Sequence, residues 1–88
     1  FNVTTPALAA GVAALKDTGF VAEQRKKNAD ERKRVCDALK QLGLAFVPSH
    51  TNFVLVHFGD AANAAEANAF LTSRGLIVRD VVAYGLPE

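Results

Sequence analysis

Apolar positions change their spacing several times along the chain, and each change marks an element. Residues Ala7-Leu8-Ala9-Ala10-Gly11-Val12-Ala13-Ala14-Leu15 are small and apolar on nearly every face. Pro6 ahead of them suits a first helical turn, and Thr4 or Thr5 can cap it. A helix so poor in polar groups is buried, or packs against another helix or subunit. Lys16, Asp17, Thr18 and Gly19 interrupt it. From 20 to 42 the spacing becomes three and four: Val21, Arg25, Asn28/Ala29, Arg32, Val35/Cys36, Leu39 and Leu42. That period predicts a long helix, stopped by Gly43. Its stripe is polar in the first half and apolar in the second, so only the second half suits a conventional core.

Beyond Gly43 the period falls to two. Residues 44–47 read as a short strand, 48–51 as a connector, and 52–58 as a longer strand with Phe53, Leu55 and His57 on one face and Val54, Val56 and Phe58 on the other. Both faces are largely apolar, which predicts a central strand covered on both sides. A third helix is expected over 64–74, with Asn63 and Glu66 at capping-box spacing and Gly75 as its stop. Residues 76–82 read as a last strand and 84–88 as a turn. The expected order is helix, helix, strand, strand, helix, strand, an α+β layer. Its core is expected at Leu39, Leu42, Val54, Val56, Phe70, Leu71 and Ile77, with residues 25–27 exposed.

Composition narrows the function classes. Eighty-eight residues allow one small domain, half hydrophobic and 22% charged, ordinary for a globular chain. A net charge of +1 lacks the clustered surplus of a nucleic-acid binder. No apolar run approaches a membrane span. A single cysteine, Cys36, makes no internal disulfide and suits a reducing, cytoplasmic setting. The chain has no methionine and starts at Phe1, so it is expected to be a piece of a longer protein, truncated at both ends.

Chemistry-bearing residues are sparse. Arg25, Lys26, Lys27, Arg32, Lys33, Arg34 and Lys40 put seven of the ten Lys and Arg residues on the long helix. Acidic neighbours make a solvated face with Glu23–Lys27 and Asp30–Arg34 pairs the main reading, and a phosphate-binding stripe the lesser one. His50 and His57 have no convergent third ligand for a metal. Cys36 on the packing stripe reads as a structural thiol. Gly43, Gly59, Gly75 and Gly85 stand singly at element ends and build no phosphate loop.

Four segments in order carry a resemblance. Phe1-Asn2-Val3-Thr4-Thr5-Pro6-Ala7, the long helix with Gln24-Arg25-Lys26-Lys27-Asn28 and Glu31-Arg32, Pro48-Ser49-His50-Thr51-Asn52-Phe53, and Arg74-Gly75-Leu76-Ile77-Val78-Arg79-Asp80 followed by Tyr84-Gly85-Leu86-Pro87-Glu88 together resemble the class I/II pyridoxal-phosphate (PLP) aminotransferases, and among these the histidinol-phosphate aminotransferases. The resemblance implies the C-terminal small domain of such an enzyme: residues 1–19 a lead-in and apolar interface helix, 20–88 the α+β layer. It implies a cytoplasmic homodimer acting with PLP on a small-molecule substrate in histidine biosynthesis, with neither nucleic acid nor membrane as partner. Such enzymes take the Schiff-base lysine, the acid at the pyridine nitrogen and the anion-gripping arginines from segments outside this stretch. No catalytic, cofactor-binding or metal-binding residue is therefore expected here, nor PLP bound to this chain alone. The implied substrate-pocket residues are Phe1, Asn2 and Asn52, each with a purely structural alternative; Arg79 and Tyr84 are weaker candidates. An aromatic aminotransferase or a cobalamin-pathway relative keeps the fold with another substrate. A free-standing α+β binding or regulatory module is the reading from a different class. Cut from its neighbours, the chain is expected to self-associate through its apolar helix or along 76–82.

Overall fold

A computed structural model describes residues 2–88. Helix α1 spans Thr5–Lys16 and helix α2 spans Thr18–Gln41; strands β1 (Ala45–Phe46) and β2 (Val56–His57) follow, then helix α3 (Ala61–Ser73) and a 3-10 turn at Val82–Tyr84. The chain is mixed helix and sheet, as the α+β reading requires. Its last element differs.

Backbone chemistry explains the boundaries. Thr4 is extended ahead of α1 with Pro at the first turn, but its side chain makes no capping bond. Asp17 alone separates α1 from α2: its backbone leaves the helical region and its carboxylate accepts from the Phe20 N–H at 3.0 Å. Thr18 and Gly19 therefore belong to α2 rather than to the break. At the other end Gly43 has φ +72. The Leu44 N–H reaches Leu39 O and the Gly43 N–H reaches Lys40 O, each at 3.0 Å. This paired closure satisfies the last carbonyls and needs a left-handed residue. Gly75 closes α3 in the same way, through Leu76 N–H to Leu71 O and Gly75 N–H to Thr72 O.

Helix α3 starts three residues before the expected 64. Its cap is Asp60, whose carboxylate accepts from Asn63 N–H at 2.8 Å, so the expected Asn63–Glu66 capping box is not the device used. Asn63 instead sits inside the first turn and donates its amide to Asp60 at 3.2 Å.

The strands are shorter than expected. β1 and β2 pair antiparallel, Ala45 opposite His57 and Phe46 opposite Val56, extended by Val47 N–H to Leu55 O at 2.9 Å. On the other edge of β2 the Phe58 N–H donates to Glu88 O at 2.8 Å. Residues 76–80 form no ladder. The Asp80 carboxylate takes the Val82 N–H at 2.8 Å, turning the chain into the 3-10 turn that Gly85 ends at φ +77. A strand forms only against a partner, and 76–82 has none within these residues.

No described residue is fully buried. The half-buried set runs along the second half of α2 (Arg32, Cys36, Asp37, Leu39), through Leu44 and Phe46, and over residues 54–58. Of the expected core, Leu39, Val54, Val56 and Leu71 lie in half-buried positions, whereas Leu42, Phe70 and Ile77 are exposed. The radius of gyration is 17.6 Å, against about 12 Å for a compact domain of this length. The absent strand and the exposed core positions share one physical reason: α1, Phe70 of α3 and the apolar residues 76–78 are exposed, and nothing among the described residues covers them.

Candidate functional site

The polar half of the α2 stripe meets the turn that leads into β2. Arg32 Nη1 donates to Thr51 O at 2.7 Å and ties the two together across 19 residues. The turn is self-braced. Ser49 Oγ accepts from the Thr51 N–H at 3.0 Å and lies 3.0 Å from Thr51 Oγ1, which accepts from the Phe53 N–H at 3.1 Å. Short side chains that bond backbone two residues on stabilise such turns without a ladder. Between helix and turn lies a cleft of about 280 Å³ lined by Arg25, Asn28, Arg32, His50, Thr51 and Asn52.

Of the expected substrate-pocket residues, the structure places Asn52 in this cleft. Asn2 is exposed at the start of a run that is exposed from 2 to 23, and it does not line the cleft. Phe1 lies outside the described residues. Arg79 sets its guanidinium 5.8 Å from the ring centre of Phe53, the neighbour of Asn52 in sequence. Tyr84 is 70% exposed. Arg25, Asn28 and Arg32 were legible only as a polar stripe; the turn folding back over them makes it a cleft.

The outer faces of α2 carry ion pairs: Lys26–Asp30 at 2.6 Å, Lys33–Asp37 at 2.5 Å and Arg34–Glu31 at 2.7 Å. The solvated-face reading holds, with different partners. Asp30 bonds back to Lys26 rather than forward to Arg34, and Arg34 takes Glu31 instead. Hydrogen bonds from Lys33 and Arg34 hold the Asp37 and Glu31 carboxyls below their ordinary values. Bonds to Asp30, Asp37 and Glu31 raise Lys26, Lys33 and Arg34.

A wider cleft of about 460 Å³ lies along the second half of α2, where Arg32, Lys33, Cys36, Lys40, Phe46 and Ser49 are among its walls. It offers lysines but no carboxylate to face a pyridine nitrogen. Lys33 is committed to Asp37, and Lys40 lies 6.0 Å from the Phe46 ring centre. The residues present do not fit the PLP cofactor by themselves. Among the described residues no three His, Cys, Asp or Glu side chains group to hold a metal, and no helix is long and apolar enough to cross a membrane.

Comparison with known proteins places the chain. It is 48% identical over 88 residues to a histidinol-phosphate aminotransferase of Roseobacter denitrificans, covering all of this chain and 24% of that protein. It is also 48% identical over 90 residues to the histidinol-phosphate aminotransferases of Rhodopseudomonas palustris strain BisA53 and Nitrobacter winogradskyi, covering 25% of each. The chain thus spans about a quarter of the length of the curated relatives it matches. No solved structure matches it. The profile of the family described as aminotransferase class I and II matches residues 1–88, and the chain belongs to that family.

Proposed function

We propose that these residues are the C-terminal small-domain part of a PLP-dependent aminotransferase that exchanges an amino group between histidinol phosphate and 2-oxoglutarate in histidine biosynthesis. In this reading the whole enzyme is a cytoplasmic homodimer. Residues 1–19 are the lead-in and interface helix, 20–88 the α+β layer, and Phe1, Asn2 and Asn52 approach the substrate. The observation that carries it is identity at 48% sustained along all of this chain to enzymes named for histidinol phosphate. The chain's contribution is to shape and position: the Arg32–Thr51 bond holds the turn that presents Asn52, while cofactor chemistry rests on residues outside this stretch. The outward apolar faces support a part that docks on a larger body rather than a free-standing module.

The test is amino transfer by the full-length protein, reconstituted with PLP, using histidinol phosphate, phenylalanine and tyrosine as competing donors. A kcat/KM for histidinol phosphate well above both aromatics is expected. A preference for the aromatics would sink the substrate and leave the fold-mate reading standing. Asn52→Ala should raise KM for the donor about 5- to 30-fold, the loss of one or two hydrogen bonds.

A further inference from the structure

We infer that the cleft between α2 and the 49–52 turn binds a phosphate-type, tetrahedral oxyanion. Among the described residues, the cations of α2 divide into those neutralised and those free of an ion pair. Lys26, Lys33 and Arg34 are ion-paired on its outer faces. Arg25 and Arg32 belong to none of these pairs. They are seven positions apart, two helical turns or about 10 Å along the axis, so they stand one above the other with Asn28 between.

The opposite wall brings His50, Thr51 and Asn52, and no carboxylate lines the cleft. Two guanidinium groups, two amide side chains and an imidazole therefore surround the space without a counter-ion. Arg32 is half-buried and gives one of its five donors to Thr51 O. That bond fixes the guanidinium without cancelling its charge. Withdrawing a cation from water without a partner is unfavourable, and an anion entering the cleft restores the balance.

Donors face the space from both walls. A planar carboxylate offers two oxygens in one plane, whereas a phosphate offers oxygens toward helix and turn at once and carries more charge. The pocket stands on this donor set alone, whether or not Asn52 reaches an amino donor. Inorganic phosphate and a phosphate monoester share the chemistry.

The experiment titrates the full-length protein with inorganic phosphate and, separately, with glycerol phosphate, following the arginine Nε–H resonances by NMR. Saturable shifts of Arg25 and Arg32 are expected, with none from potassium chloride at matched ionic strength. Arg25→Gln should weaken binding about fivefold or more, the loss of one charge-assisted hydrogen bond. Tighter binding of the monoester would assign the site to a phosphorylated metabolite, and equal binding to free phosphate. If Arg32→Lys disturbs the turn, Arg25→Gln and His50→Gln still decide, because both positions are exposed. The proposal is overturned by an absence of saturable shift up to roughly 50 mM phosphate, where screening alone becomes appreciable, or by binding that Arg25→Gln leaves unchanged.

Discussion

Helices α1 and α2 are separated by one residue, Asp17, and differ in almost everything else. α1 is the more apolar, yet every residue in it is exposed. α2 is the more charged, yet Gln24, Arg32, Cys36, Asp37 and Leu39 in it are half-buried. Hydropathy states what a helix would gain from burial; a partner decides whether it is buried. α2 has one, because β1 packs against it and the 49–52 turn is bonded to it. α1 has none within these residues, and Leu8, Val12 and Leu15 are 59, 45 and 83% exposed. An open apolar face of this kind is what the proposed interface role of α1 requires.

The largest effect should come from charging that face. If α1 mediates self-association, Leu8→Glu with Leu15→Glu should weaken it on the order of 100-fold or more, since each buried leucine contributes roughly 1.5–3 kcal/mol. Sedimentation at micromolar concentration reads this directly. Equal association of variant and parent would move the interface away from α1. A parent that stays monomeric and unfolds cooperatively would remove the proposed self-association altogether.

Helix α3 tests the same contrast more mildly. The sequence reading puts Phe70 in a core, where Phe70→Ala would cost roughly 3 kcal/mol or more. The ring is in fact 56% exposed, with the Arg74 guanidinium 4.9 Å from its centre. The expected loss is therefore about 1–2 kcal/mol, part apolar area and part cation–π contact. A denaturant-midpoint shift matching the full core value would mean that a covering surface is present in solution.

What the sequence discloses follows from how local each device is. Gly43 and Gly75 mark both helix ends because the left-handed closure is a property of a few adjacent residues. The Asp60 cap is equally local and legible in Gly59-Asp60, ahead of two alanines; the Asn63–Glu66 spacing has the same local form, one turn further on. Strands depend on partners. Residues 52–58 have the right alternation but pair only at Val56–His57, and 76–82 has the apolar run without a ladder. The candidate site divides the same way. Asn52 was readable as a strand-entry amide, while the cleft it lines depends on Arg32 reaching a carbonyl 19 residues away. No periodicity encodes that.

Asp17 is the hinge of the comparison and offers a smaller effect. Asp17→Ala removes the acceptor for the Phe20 N–H and should destabilise the first turn of α2 by about 1 kcal/mol. Hydrogen exchange at residues 20–22 should quicken while exchange near Leu39 stays unchanged. Uniform quickening along α2 would mean that Asp17 anchors the whole helix and not its first turn.

The smallest effect concerns the paired face of α2. Glu31 and Asp37 have carboxyls depressed by hydrogen bonds from Arg34 and Lys33. A depressed carboxyl contributes stability that is present above its unfolded value, 4.5 for Glu and 3.8 for Asp, and is lost as pH falls through the lower folded value. Lys26 and Lys33 are raised above 10.5, so their contribution is full below that value and lost only as pH rises through the raised one. From about pH 5 to about pH 10 these groups leave stability flat. All three pairs are exposed, so even their full loss is small. Far-UV circular dichroism of the protein should show a shallow decline in helicity below about pH 4. High salt, where the screening length is about 3 Å, should flatten that decline. A decline centred between about pH 5 and about pH 7, where neither carboxyl nor lysine titrates, would assign the pH dependence to another group and leave the α2 pairs without a measurable share.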